Sequence, residues 1–162
     1  MGPRSTEPSD VTALISLGDH YEEIFESAPC ALLVVDQDLR IHDFNRFAFT
    51  LLREHPDPVR AVLGDALQCE NALSSPGGCG TSKHCPDCRL RNAVIDSMRS
   101  GDIRRSIVDL RIVTESGVIP ETLMVASAVA HRAADASDHD RLVLTIHRLS
   151  DWDEAFDQSI LR

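Results

Sequence analysis

Four of the five cysteines, Cys69, Cys79, Cys85 and Cys88, crowd one segment in the pattern C-x9-C-x5-C-x2-C. The Cys85-Pro86-Asp87-Cys88 spacing lets two thiolates turn toward one centre while loop N–H groups point at the sulfurs. Cys69 and Cys79 complete a four-thiolate set, the donor number of a tetrahedral zinc site or of an iron–sulfur cluster. Gly77, Gly78 and Gly80 flank Cys79 and permit the positive φ and close backbone approach that a bulky inorganic centre needs.

The spacing bears on which centre is expected. Structural zinc commonly takes two C-x2-C pairs or a Cys/His mixture, whereas this chain has one pair and an irregular approach to it. A cluster wrapped by a longer loop suits that irregularity, with Pro86 stiffening the knuckle. The expectation is an iron–sulfur cluster in preference to Zn2+. A zinc site would make the loop a structural clip; a cluster would make it a sensor. A third reading uses Cys85 and Cys88 as a dithiol oxidoreductase or thiol sensor, since a C-x2-C ahead of a helix lowers a thiol pKa, although that motif ordinarily follows a strand. The plainest alternative is four loop thiols without a ligand, which leaves a segment so poor in large apolar residues with little to order it.

Other candidate residues have simpler readings. Cys30 opens an apolar run and reads as a small buried hydrophobe. His84, next to Cys85, is a possible zinc or haem ligand but reads first as an exposed loop residue. His42, His131 and His147 fall on or at the ends of expected strands, as sheet-surface or edge residues. Asp36 and Asn45 suit turn and cap hydrogen bonds. No phosphate-cradling glycine loop, nucleophile elbow or metal-protease histidine pair occurs, so no enzyme is expected.

The elements that must position the cysteines follow from periodicity. Residues 1–9 read as a disordered leader, and residues 10–18 as a short N-terminal helix capped by Asp10. "DHYEEIFESAP" places Tyr21, Ile24 and Phe25 on one helical face, and Pro29 ends it. "CALLVVD" reads as a strand buried on both faces. A turn at Gln37-Asp38 and a second strand over Leu39 to His42 complete a hairpin. Asn45 caps a helix with Phe44, Phe47, Ala48, Leu51 and Leu52 on one face, and "VRAVLGDALQC" forms a further short helix. After the cysteine loop, residues 69–88, "CRLRNAVIDSMRSGD" is an amphipathic helix stopped by Gly101. The period then changes to two through "SIVDLRIV", "ETLMVASAVAH" and "RLVLTIHRL". Residues 151–162 carry Trp152, Phe156 and Ile160 at helical spacing, an amphipathic end helix and a candidate interaction surface. Two strands, several helices and three strands describe an α+β domain with an antiparallel sheet.

In this order and these lengths, "YEEIFESAPCALLVVDQDLRIHDFNRFAFTLL" and the three closing strands resemble a PAS domain over residues 19–150. The resemblance implies a five-stranded antiparallel sheet of order 2-1-5-4-3, with helices on one face enclosing a small-ligand or cofactor cavity. It implies a sensory or dimerisation module rather than an enzyme. The cysteine loop then falls where PAS domains vary most, beside the cavity. The segment also resembles, in cysteine count and clustering, the PAS sensors that hold an oxygen-labile iron–sulfur cluster. The expected function is a stand-alone sensor that responds to redox state or oxygen and signals through a separate protein or a homodimer.

Composition narrows the setting. The 162 residues carry 26 acidic against 16 basic side chains, a formal charge of −10 that opposes nucleic-acid and anionic-membrane partners. No apolar run approaches the roughly 20 residues that span a bilayer, and the first ten residues lack the apolar centre of a secretory signal. The cytoplasm is the expected compartment, where a disulfide framework is disfavoured, and the odd cysteine count agrees.

Overall fold

The computed structural model describes residues 20–52, 55–131 and 140–151. The expected leader, the helix over 10–18 and the end helix with Trp152, Phe156 and Ile160 lie outside the described residues. A helix over residues 20–27 (α1) leads into β1 (Ala31–Asp36) and β2 (Ile41–Phe44). Then come α2 (Arg46–Leu52), α3 (Leu63–Ala66), α4 (Glu70–Leu73), a 3-10 turn over Cys85–Asp87 and α5 (Arg89–Ser100). The chain closes on β3 (Arg104–Thr114), β4 (Gly117–His131) and β5 (Arg141–Arg148). The five strands form one antiparallel sheet in the order β2-β1-β5-β4-β3, as expected.

The core lies between one face of this sheet and the helices. Leu33, Val35, Ile41, Val108, Leu123, Val125, Leu142, Leu144 and Ile146 meet Ala48, Leu52, Leu63, Leu90 and Val94 there. Burial of this apolar surface is the main stabilising term.

Two buried hydrogen-bonded centres fix the order of elements. Asn45, fully buried, accepts the Leu32 and Ala48 N–H groups on Oδ1 (3.0 and 3.1 Å) and donates from Nδ2 to Phe25 O and Cys30 O (3.0 and 2.9 Å). It caps α2 as expected and also ties α1 and β1 to it. On the other side, Ser97 Oγ lies 3.1 Å from Ser127 O and 2.6 Å from Ser127 Oγ, and Ser127 Oγ donates to Ala93 O at 3.1 Å. This pair pins α5 to β4.

Several expectations are corrected. From Ala31 to Val35, β1 alternates buried and half-buried residues instead of being buried on both faces, because among the described residues the helices pack on one side of the sheet. The second strand starts at Ile41, not Leu39, since Leu39 takes a left-handed φ of 63° in the turn. Of the apolar residues on α1 only Phe25 is buried; Tyr21, stacked on Phe25 at 5.6 Å, and Ile24 are exposed. On α2, Ala48 and Leu52 enter the core while Phe47 stays exposed. The helix expected over 59–69 is confined to Leu63–Ala66, since Gln68 turns to φ 57° and breaks it.

Candidate functional site

The four clustered cysteines line one cavity of about 300 Å3, with Leu39, Leu63, Ala72, Leu90, Val108 and Leu110 as its apolar wall. The loop reaches that cavity through three anchors, on β3, on α3 and at the head of α5.

Cys69 is the N-cap of α4. The left-handed turn at Gln68 sends its carbonyl to the Val113 N–H at 2.9 Å and sets Cys69 opposite Ile112 in an antiparallel bridge. The Cys69 N–H returns to Gly64 O at 2.9 Å, and the Glu70 carboxylate pairs with the Arg111 guanidinium. The front of the loop is therefore fastened to β3.

Cys79 is anchored to α3. Asp65 Oδ1 accepts its backbone N–H at 3.0 Å. The Asp65 carboxylate occupies the space a side chain at Gly78 would fill, and Gly78 has a φ of 75°. Gly64 supplies the room for the thiol: a Cβ there would lie 2.5 Å from Cys79 Sγ.

Cys85 is buried in the 3-10 turn, and Pro86 sits at the start of that turn. The Cys88 N–H donates to Cys85 O at 3.1 Å, and Cys88 is the N-cap of α5, accepting the Asn92 N–H at 2.9 Å. The knuckle and the long helix are thus one continuous unit.

The electrostatics are mixed. Burial pushes the Cys79 thiol up to about 11, and the neighbouring Asp65, Cys85 and Cys88 add to the rise against one favourable backbone hydrogen bond from Gly64. Arg89 and Arg91 line the same cavity, as do Asp87, Asp109 and the exposed His84. All five cysteines are free thiols.

The donor set fits a metal centre in number and chemistry, with four thiols on one cavity. It is not closed around a point: among the described residues no group of three or more His, Cys, Asp or Glu side chains is arranged to hold a single metal ion.

The remaining candidates stand apart. Cys30 lines a separate cavity with Phe47, Thr50 and His147, is half-buried, and has its thiol pKa raised by burial. His42, expected as a plain surface residue, has Nε2 2.8 Å from Asp36 Oδ2. Asp36 is buried and its Oδ1 accepts the Asp38 and Arg40 N–H groups, the turn role expected of it. Gly64, Asp65 and Arg91 are the site residues that spacing did not point to. A glycine inside an expected helix was the available signal for the first.

Residues 19–82 match the family model of the PAS domain. A search of the curated proteins gave no significant match. The PAS domain of nitrogen regulation protein NR(II) from Vibrio parahaemolyticus is similar at 18% identity, over 79% of this chain and 96% of that one, with a TM-score of 0.54. The PAS domain of an HTR-like protein from Haloarcula marismortui matches at 13% identity over 86% and 97%, TM-score 0.52. The Rhodobacter sphaeroides LOV protein matches at 12% over 83% and 68%, TM-score 0.54. These likenesses are of fold. The sheet order and helical cover are those of the PAS fold, and the family match spans residues 19–82. Among the described residues no helix is long and apolar enough to cross a membrane.

Proposed function

We propose that this chain is a non-enzymatic, cytoplasmic PAS sensor in which Cys69, Cys79, Cys85 and Cys88 hold an iron–sulfur cluster and report redox state or oxygen to a separate protein or to a second copy. One observation carries the reading: all four thiols line one cavity while their backbones belong to separately anchored elements. A bound cluster supplies one-electron redox chemistry whose potential depends on hydrogen bonds and burial around the sulfurs.

The chain's own residues account for the rest. Holding four thiols together would join the front of the loop on β3, the loop tip on α3 and the knuckle at the head of α5 to one another. Releasing them leaves Cys79 tied to α3 only through Asp65, and Cys69 tied to β3 through Gln68 and Glu70. The knuckle is then free to move as one piece with the first turn of α5, an order-to-disorder change of the kind that switches signalling domains. The apolar wall excludes water from the sulfurs, and Arg89, Arg91 and the N-terminus of α5 offset thiolate charge.

Protein purified without oxygen should be brown, absorb in the visible, and contain iron and acid-labile sulfide. Colourless protein with one zinc per chain would replace this reading with a structural clip, in which chelation lowers the melting temperature and oxygen has no effect.

A further inference from the structure

The chain is acidic overall, yet one described groove is basic. Between the start of α5 and β3, Arg89, Asn92, Asp96, Arg104, Arg105 and Ser106 line a shallow depression of about 260 Å3. Three guanidiniums face one carboxylate there, in a chain whose net charge is −10. Internal contacts make little use of them. Arg104 meets Asp102 at 3.8 Å with both side chains exposed, a pair of small net worth. Arg89 Nη1 reaches Ile107 O at 3.5 Å, and Arg105 has no ion-pair partner among the described residues.

The groove adjoins unpaired backbone. Among the described residues β3 is an edge strand covered only near its end, where Val113 donates to Gln68 O and Cys69 bridges Ile112. Those bonds and the Arg89 contact with Ile107 O place the odd-numbered N–H and C=O groups on the open edge, so residues 105 to 109 face outward, with the Ile107 carbonyl shared with Arg89 and Arg111 already beside Glu70. Ile107, 43% exposed, adds one apolar contact on that stretch.

We propose that the open edge of β3 and the arginine groove bind an extended acidic segment of a partner protein, added as a sixth strand beside residues 105–109. Main-chain hydrogen bonds supply the affinity of such strand addition and side chains its specificity. Here Arg89, Arg104 and Arg105 select carboxylates, through the fork geometry guanidinium offers them. The competing role for edge arginines is to repel other strands, which needs charge but no partner. Nucleic acid offers phosphates to the arginines but no peptide strand to pair with the open edge. The proposal does not depend on what the cysteines hold.

The test uses the full chain and three fluorescein-labelled probes: a nonapeptide alternating Glu and Val, its Lys and Val counterpart, and a single-stranded oligonucleotide. Anisotropy should show binding of the acidic peptide alone, weakening as salt is raised. Joint Arg104→Ala and Arg105→Ala substitution should weaken it by about tenfold or more at an unchanged melting temperature. Arg89→Ala should weaken it as well, while Arg99→Ala, outside the groove, should not. Equal binding of the two peptides, equal binding of the oligonucleotide, or full affinity in the double variant would overturn the proposal.

Discussion

Asp65 holds Cys79 across 14 residues of chain: its Oδ1 accepts the cysteine N–H at 3.0 Å, and its carboxylate fills the hollow over Gly78. A residue on α3 therefore places a thiol at the far end of the loop before any ligand arrives. Replacing it by Ala should cost about 1–2 kcal/mol in urea unfolding, the worth of a charge-assisted bond and its orphaned partner. Asp65→Ala should also raise the rate at which a thiol reagent modifies Cys79. An unchanged rate would mean that the tie does not position this cysteine.

Gly64 and Cys79 are packed so closely that the glycine is required by space rather than by backbone conformation. Gly64→Ala should destabilise the chain by about 1–3 kcal/mol, the usual range for overpacking. In a Cys79→Ala background part of that cost should vanish, because the Sγ at 2.5 Å is gone while the Cβ at 3.0 Å remains. A double-mutant cycle in denaturant measures this; additive costs would place the strain elsewhere.

Asn45 satisfies four backbone groups from one buried side chain. Asn45→Ala should remove on the order of 3 kcal/mol or more, because buried donors and acceptors are left unpaired as well as bonds lost. Denaturant midpoints with unchanged m-values would check it.

The Asp36 carboxyl is pushed up by burial, but the hydrogen bonds from His42 and from the Arg40 and Asp38 N–H groups, with the His42 charge, outweigh burial and hold it below the usual carboxylate range. A group depressed in the folded state stabilises fully above its unfolded pKa, about 3.9 for aspartate, and that contribution is lost as pH falls through the folded value. Unfolding free energy should therefore fall more steeply in acid for the wild type than for Asp36→Asn. Parallel acid limbs in the two proteins would contradict it.

Much of the sheet was legible because period-two alternation and turn residues act locally: "TESG" reverses the chain between β3 and β4, and Gly101, at φ 77°, stops α5. Asn45 was legible as a cap, but its reach to Phe25 and Cys30 was not, since no local pattern encodes contacts 20 and 15 residues away. The same limit applies at the site. Cysteine spacing pointed to a four-thiol loop and the PAS resemblance to a neighbouring cavity, whereas Gly64 and Asp65 are brought to Cys79 only by folding. The faces of α1 and α2 were misjudged at Tyr21, Ile24 and Phe47 because amphipathic spacing reports a stripe without reporting what covers it. The start of β2 was misplaced because a left-handed leucine is rare enough that no propensity anticipates it.

The buried Ser97–Ser127 pair has a mechanical consequence. It fixes α5 nine residues beyond Cys88, roughly 14 Å along the helix axis at the usual rise. A rod held at that point resists sliding along its length and turns instead, with the serines as fulcrum and the knuckle at the end of the long arm. Sideways displacement of the knuckle would thus reach the Gly101 end as a smaller swing in the opposite sense, delivered where the chain enters the arginine-bearing edge strand.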